Sequence, residues 1–338
     1  MPSPSGRPTR RRPTLTDVAT AAGVSLGQAS ASINGAAGPS KATRERVLAV
    51  AKKIGYRPNQ VASALARARS QRIGVAFALS HPFHSDIVEC MYDAAGARGY
   101  ELVLSGYAAS RSVNRCAESL LDSRCDALVL VGASALTDDL LRTAGPARIV
   151  VVGSAKEIDG VDIVRSAGEA GARLAIDHLI SLGHRRIACV DGGDLSGAEY
   201  RRTGYLEGMS ERGLGDAVQL VSGGDTYAAG YAAGQRAKDM NHTAYVVYND
   251  ECAIGLIDAF RDSGRRVPED VSVVGYDNEA AAQLPKIQLT TLSQDSSTIA
   301  DLAIRQAVRA IEEPGSPSER LVVPPQLIVR ATTASPPH

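Results

Sequence analysis

The chain has 338 residues, 44% apolar and 22% charged, which is ordinary for globular domains and long enough for two or three folding units. No apolar run reaches the roughly 18–20 residues that span a bilayer, and the basic N-terminus MPSPSGRPTRRRPT lacks the apolar stretch of a secretory signal, so a cytoplasmic protein with no membrane partner is expected. The zero net charge conceals a split: Met1 to Arg72 holds 13 Lys and Arg against two acids, Asp17 and Glu45, and, with 37 of each sign in all, the remainder holds 24 against 35.

That asymmetry predicts a basic N-terminal module that meets a polyanion and an acidic body with another task. Residues 1–13, rich in Pro, Ser and Arg, read as a disordered basic tail. Thr16 is the expected N-cap of a helix from Asp17 to Ala22, ended by Gly23, and Ser25 is the expected cap of a second helix reaching Ile33. Two short helices across so tight a turn make a helix-turn-helix, the form in which a second helix enters the DNA major groove. This second helix has no Arg or Lys between Leu26 and Ile33. A third helix from Lys41 to Ile54, capped by Ser40, repeats Val47, Leu48, Ala51 and Ile54 at helical spacing. In GYRPNQVASALARARSQ, Pro58 opens a short amphipathic piece that is too brief to hold alone in water. Its Leu65 has the character of an apolar wedge for a minor groove.

After Arg72 the pattern changes to apolar strands separated by helical stretches: Arg72–Leu79, Tyr100–Leu104, Ala127–Val131, Ile149–Val152, Arg186–Val190, Ala244–Tyr248 and Val271–Gly275. Strands alternating with helices predict parallel sheets with sites at their carboxyl ends, and the count implies two α/β lobes. No GxGxxG follows the first strand and no GxxxxGK[ST] occurs, which excludes the common phosphate cradles. Six histidines form no HExxH, and five cysteines, Cys90, Cys116, Cys125, Cys189 and Cys252, lie scattered, so no metal site, no cofactor and free, mostly buried thiols are expected. His184 in LGHRR reads as a structural turn, and Asp191 as an acid without a partner. These features argue against an enzyme.

LTDVATAAGVS, the SING that follows, TRERV, IGYRPNQVASALA, SLGHRRIA, YND and VSVVGYDN together resemble the LacI/GalR family of bacterial transcription regulators, from about Leu15 to Thr333. The resemblance implies an all-α helix-turn-helix head (14–57), a hinge helix and linker (58–71) and a two-lobed periplasmic-binding-protein-like effector domain (72–331). Lobe one takes about 72–165 and 294–322, lobe two about 166–293 and 323–331. It implies a homodimer or homotetramer on a double-stranded DNA operator, repressing transcription, with a sugar-like effector in the cleft. By position, the resemblance implies that Leu26, Gly27, Gln28 and Ala31 face bases, that Thr16, Ser25, Asn34, Lys41 and Arg44 contact phosphates, and that Asn59, Val61, Ala62 and Leu65 enter the minor groove. Phe83, Arg201, Asn249 and Asp277 contact the effector, with Asp250 expected to cap the next helix and Arg202 to face solvent.

Departures from the family pattern carry expectations of their own. Ala31 stands where the recognition helix usually has arginine, so few direct base contacts are expected: an adenine through Gln28 and thymine methyls through Leu26 and Ala31. The alternative reading is a solute sensor whose specific DNA binding is lost. Ser166-Ala167-Gly168, Gly153 and Val131 replace polar residues of some members. Lobe one's share of the cleft is therefore expected to be poor in polar groups, and the effector small or less polar.

Overall fold

The computed structural model describes residues 13–33, 35–56, 69–133, 138–144, 148–153 and 159–337, in two compact units, Met1–Ser70 and Gln71–His338. The tail 1–12, Asn34, and Asn59, Val61, Ala62 and Leu65 lie outside the described residues.

In the first unit α1 (Leu15–Ala22), α2 (Leu26–Ile33) and α3 (Lys41–Ile54) enclose a core of Val18, Ala19, Ala22, Ala29, Val47 and Ala51. The N-cap of α1 is Thr14, not Thr16. The Thr14 hydroxyl accepts from Asp17 N and the Asp17 carboxylate accepts from Thr14 N at 2.7 Å, a reciprocal box that starts the helix two residues earlier. Gly23 and Gly55 close α1 and α3 in the left-handed conformation, and Ser40 caps α3. The apolar face of α3 is Val47, Val50, Ala51 and Ile54, whereas Leu48 points outward at 46% exposure.

The second unit holds two six-stranded sheets. The first takes β1 (Arg72–Ala78), β2 (Glu101–Tyr107), β3 (Ala127–Val131), β4 (Arg148–Val152), β5 (Asp162–Ser166) and β11 (Arg320–Val323) in the order β11-β5-β4-β3-β1-β2, all parallel. The second takes β6 (Ile187–Asp191), β7 (Leu220–Ser222), β8 (Ala244–Val247), β9 (Ser272–Asp277), β10 (Thr290–Ser293) and β12 (Gln326–Ile328) in the order β12-β10-β9-β8-β6-β7, parallel except β12. Helices cover both faces, which is why β3 and β8 are continuous apolar runs, buried at every residue. Alternation sorts the first sheet: Ile73, Val75, Val129 and Val131 pack on one face, Ala76, Leu128 and Leu130 on the other.

The helices of the first lobe are α4 (Pro82–Gly96), α5 (Val113–Asp122), α6 (Asp138–Ala144) and α11 (Ser296–Glu312). Those of the second are α7 (Gly168–Ser181), α8 (Ala198–Glu211), α9 (Tyr227–Ala237) and α10 (Asp250–Asp262). The chain crosses between lobes three times: after β5, between β10 and α11, and between β11 and β12. The second lobe extends past residue 331, because Val273 N donates to Thr332 O and Ala334 N to the Ser272 hydroxyl. Helices α9 and α10 touch backbone to backbone through glycine: a Cβ on Gly230 would stand 1.9 Å from Cys252 O, and one on Gly255 2.0 Å from Tyr227 O. All five cysteines are free thiols, four of them buried.

Candidate functional site

On α2 the residues expected to face bases are Leu26, Gly27 and Gln28, all exposed, and Ala31, half-buried, while Ala29 and Ser32 turn into the core. Ser25 caps this helix: Gln28 N donates to its hydroxyl at 3.2 Å, and Ser25 N donates to Gln28 Oε1 at 3.3 Å. The amide expected to read adenine thus serves a capping box, and a bidentate pairing with a base would have to break one of its bonds. The spacing Ser-x-x-Gln was the available signal. Thr16 and Lys41 are exposed in the first turns of α1 and α3. Arg44 is half-buried, and its guanidinium donates to Ala36 O at 2.6 Å, bracing the loop before α3.

In the second unit the carboxyl ends of both sheets enclose a cavity of about 290 Å³. Phe83 enters it from the first turn of α4, and is also part of the lobe-one core at 8% exposure. Arg201, on α8, reaches in from the second lobe. One terminal nitrogen donates to Tyr248 O, the other to Asp277 Oδ1 at 3.5 Å, and the guanidinium lies 3.7 Å from the Tyr276 ring centroid and 4.6 Å from that of Tyr248. Asp277 ends β9, is 5% exposed, and accepts from Gln294 through Oδ1 while its Oδ2 has no hydrogen-bond partner. Burial pushes the Asp277 pKa up, against the pull of Arg201 and His81. Burial also opposes the Arg201 charge, but Asp277 and the two tyrosines outweigh it and the guanidinium stays protonated.

Asn249 is not at the cavity wall. It is fully buried as the N-cap of α10: its Oδ1 accepts from Cys252 N at 3.0 Å and its Nδ2 donates to Asp225 O at 2.9 Å. Asp250, expected to be the cap, is buried instead, accepting from the Thr291 hydroxyl and from Glu279 N. One ion pair corrects two other expectations. Asp191 has a partner in Arg202 at 2.6 Å, and the pairing leaves Arg202 half-buried rather than facing solvent. His184 serves the fold: it is buried among Thr243, Ser272 and Ala334 O.

Lobe one brings more polarity to the cavity than its sequence suggests. His81 and His84 follow β1, their rings stacked at 4.3 Å, and burial holds the His84 imidazole neutral with its pKa lowered to about 3. Arg165 closes another side, forked onto Glu169 at 2.9 and 3.0 Å and lying 3.7 Å over the Tyr200 ring. Tyr107, Tyr200, Tyr248 and Tyr276 add aromatic walls. The hydroxyls of Tyr107 and Tyr248 donate to Val131 O and Ser196 O, so these residues present ring surface rather than free donors. His81 lies in the loop after the first strand that the resemblance points to; the others do not stand out in the linear chain, because their convergence depends on which strand ends meet. Among the described residues His81, Asp277 and Glu279 also come together, each offering one donor atom within 4.8 Å of the others, a grouping that runs against the expectation of no metal constellation.

The model of the bacterial regulatory proteins of the lacI family matches residues 14–59, and that of a periplasmic binding protein-like domain matches residues 176–333. The HTH-type transcriptional regulator CelR of Thermobifida fusca is 32% identical over 335 residues, covering 95% of this chain and 98% of its own. A LacI transcriptional regulator from a Rhodococcus species, known as a crystal structure, is 41% identical with a TM-score of 0.76, covering 79% of this chain and all of its own. The lac repressor dimer bound to operator and the anti-inducer ONPF is 27% identical with a TM-score of 0.85, covering 96% of this chain and all of its own.

Proposed function

The chain belongs to the lacI family of bacterial regulatory proteins and is a DNA-binding transcriptional regulator, not an enzyme; on that premise we propose that it is a repressor acting as a homodimer at the nucleoid and released from its operator by a small sugar-like effector. The effector lies in the cavity between the lobes. The observation that carries this reading is the Arg201–Asp277 pair between two tyrosine rings, with one buried Asp277 oxygen left without a partner. A forked donor beside a free carboxylate acceptor suits adjacent hydroxyls, and Phe83 and the tyrosine rings supply faces for the apolar side of a sugar ring. A volume near 290 Å³ is at the small end for ligand pockets and favours one or two rings. Ligand binding favours one lobe geometry, and affinity for DNA follows from that preference.

The operator is a pseudo-palindrome met by two copies of α2 in successive major grooves, with Leu26, Gly27, Gln28 and Ala31 toward the bases and Thr16, Ser25, Asn34, Lys41 and Arg44 toward phosphates. Asn59, Val61, Ala62 and Leu65 act at the central minor groove. Since α2 offers a single polar side chain to the bases, and Gln28 Oε1 is occupied by Ser25 N–H, much of the discrimination comes from DNA shape. A second reading, weak or lost sequence preference, rests on that same occupied amide.

Selection of the full-length protein against random DNA, at two salt concentrations, tests both. A recovered palindrome with a fixed centre supports the repressor, and its release by members of a sugar panel then identifies the effector. Binding without a preferred site that vanishes with added salt refutes specific repression and favours the second reading.

A further inference from the structure

At the edge of the cavity three side chains meet, and one of them, Asp277, is also the acceptor assigned above to the effector's hydroxyls. His81 is the N-cap residue of α4 in lobe one, yet its side chain makes no capping bond. Asp277 ends β9 in lobe two and Glu279 follows it two residues on, and they are 5% and 3% exposed. Each of the three has a buried atom with no hydrogen-bond partner: His81 Nδ1, Asp277 Oδ2 and Glu279 Oε1. Buried polar atoms are paired in the great majority of cases. The same three residues each bring one donor atom within 4.8 Å of the others, and a cation is a partner that residues so placed can share. A single shared proton satisfies two such atoms at most; a cation satisfies three. Burial first, and then the neighbouring Asp277, Asp250, Glu251 and Asp86, push the Glu279 pKa up to about 8, so a cation bound there displaces its proton. Arg201 and Gln294 both engage Asp277 through Oδ1, which leaves Oδ2 free to ligate.

We propose that His81, Asp277 and Glu279 form a binding site for a divalent transition-metal ion, of the zinc or manganese class, that ties lobe one to lobe two. One imidazole nitrogen with two carboxylate oxygens is a donor set suited to those ions rather than to calcium or magnesium. Metal–ligand bonds of about 2.0–2.2 Å place neighbouring donors about 3.3 Å apart in a tetrahedral site, so modest side-chain rotations close the present spacing. Three protein ligands leave a coordination position, and His81 and Asp277 line the cavity, so that position faces the effector's space. The ion would then couple lobe closure to metal supply. The ion takes the Asp277 oxygen that the sugar reading gives to a hydroxyl, so an effector bound with it meets the ion at that point; the titration uses neither DNA nor sugar, and its failure is therefore distinguishable from failure of the repressor reading.

The test is calorimetric titration of Zn²⁺, and separately Mn²⁺, into full-length protein freed of metal by chelator and dialysis. One ion per chain is expected, with a rise in Tm. Glu279→Gln and His81→Ala should each weaken binding at least tenfold, while a distant histidine variant, His242→Ala, leaves it unchanged. Cobalt(II) bound to the wild-type chain should show the visible absorption of a low-symmetry nitrogen–oxygen site, and Zn²⁺ should displace it. That measurement needs no variant, so it decides the matter if Glu279→Gln fails to fold. Absence of binding, or binding of equal strength in Glu279→Gln and His81→Ala, overturns the proposal.

Discussion

Arg201 and Asp277 form the most consequential pair in the cavity, and replacing Arg201 by methionine tests what the pair is worth. The side chains are 14% and 1% exposed, with nitrogen and oxygen 3.5 Å apart. At an effective dielectric constant near 20, two unit charges at that separation attract by about 4–5 kcal/mol. Methionine keeps the chain length and removes the fork, so Asp277 is left with Gln294 as its remaining donor and an uncompensated buried charge, a situation that costs about 3–5 kcal/mol. Loss of the guanidinium from the faces of Tyr276 and Tyr248 adds about 0.5–1 kcal/mol each. Hydrophobic contact by methionine offsets part of this, and a net destabilisation of about 3 kcal/mol is expected. The double variant Arg201→Met/Asp277→Asn removes both charges and should lie within about 1–2 kcal/mol of wild type, recovering about 1–2 kcal/mol of the loss. The assay is urea unfolding of the full-length protein followed by far-ultraviolet circular dichroism, since the chain has no tryptophan. Chelator in the buffer keeps metal out of the comparison. A double variant as unstable as, or less stable than, Arg201→Met would refute the view that a buried charge pair organises this wall.

Three further outcomes are expected. Gly27→Ala meets nothing closer than Ser25 Oγ at 4.0 Å, so it should stabilise α2 by about 0.5–1 kcal/mol, read as slower amide exchange over residues 26–33; unchanged or faster exchange there would count against it. Gly230→Ala gains the same helix propensity but drives Cβ into Cys252 O, so a net loss of about 2 kcal/mol in denaturant unfolding is expected, and neutrality would disprove the close approach of α9 and α10. Burial lowers the His184 pKa, so the native ring stays neutral where the unfolded one takes up a proton. Its contribution to stability is present above the ordinary histidine value near 6.5 and is lost as pH falls through the lower folded value, with a slope of at most about 1.4 kcal/mol per pH unit. The stability gap between wild type and His184→Gln should therefore narrow from pH 7.5 to 5.5, and a constant gap would exclude the effect.

The expectations that failed share a cause. Thr16 and Thr14 are the same residue type two positions apart, and the choice between them rested on where the Asp17 carboxylate found a donor. Asn249 follows a strand and precedes a helix, where cap and ligand contact ask for the same side chain; the amide went to Cys252 N and Asp225 O. Leu48 and Val50 fit the helical period almost equally well, and the packing of α1 and α2 on α3 chose Val50.

What the sequence by itself determined is whatever depends on neighbours along the chain: the Ser25 and Ser40 caps and the left-handed glycines of the head, the apolar runs that become β1, β3, β6, β8 and β9, the basic–acidic division near residue 72, and the motif positions of Arg201 and Asp277. Each follows from local dihedral preference, hydrophobic period or charge count. What only the tertiary structure decided is the chemistry of the cavity. Arg165 over Tyr200, the stacked His81 and His84, the partnerless oxygens of Asp277 and Glu279, and the aromatic walls belong to strand ends far apart in the chain. They meet because two parallel sheets point their carboxyl edges at one space, and burial there removes the water that would otherwise satisfy them.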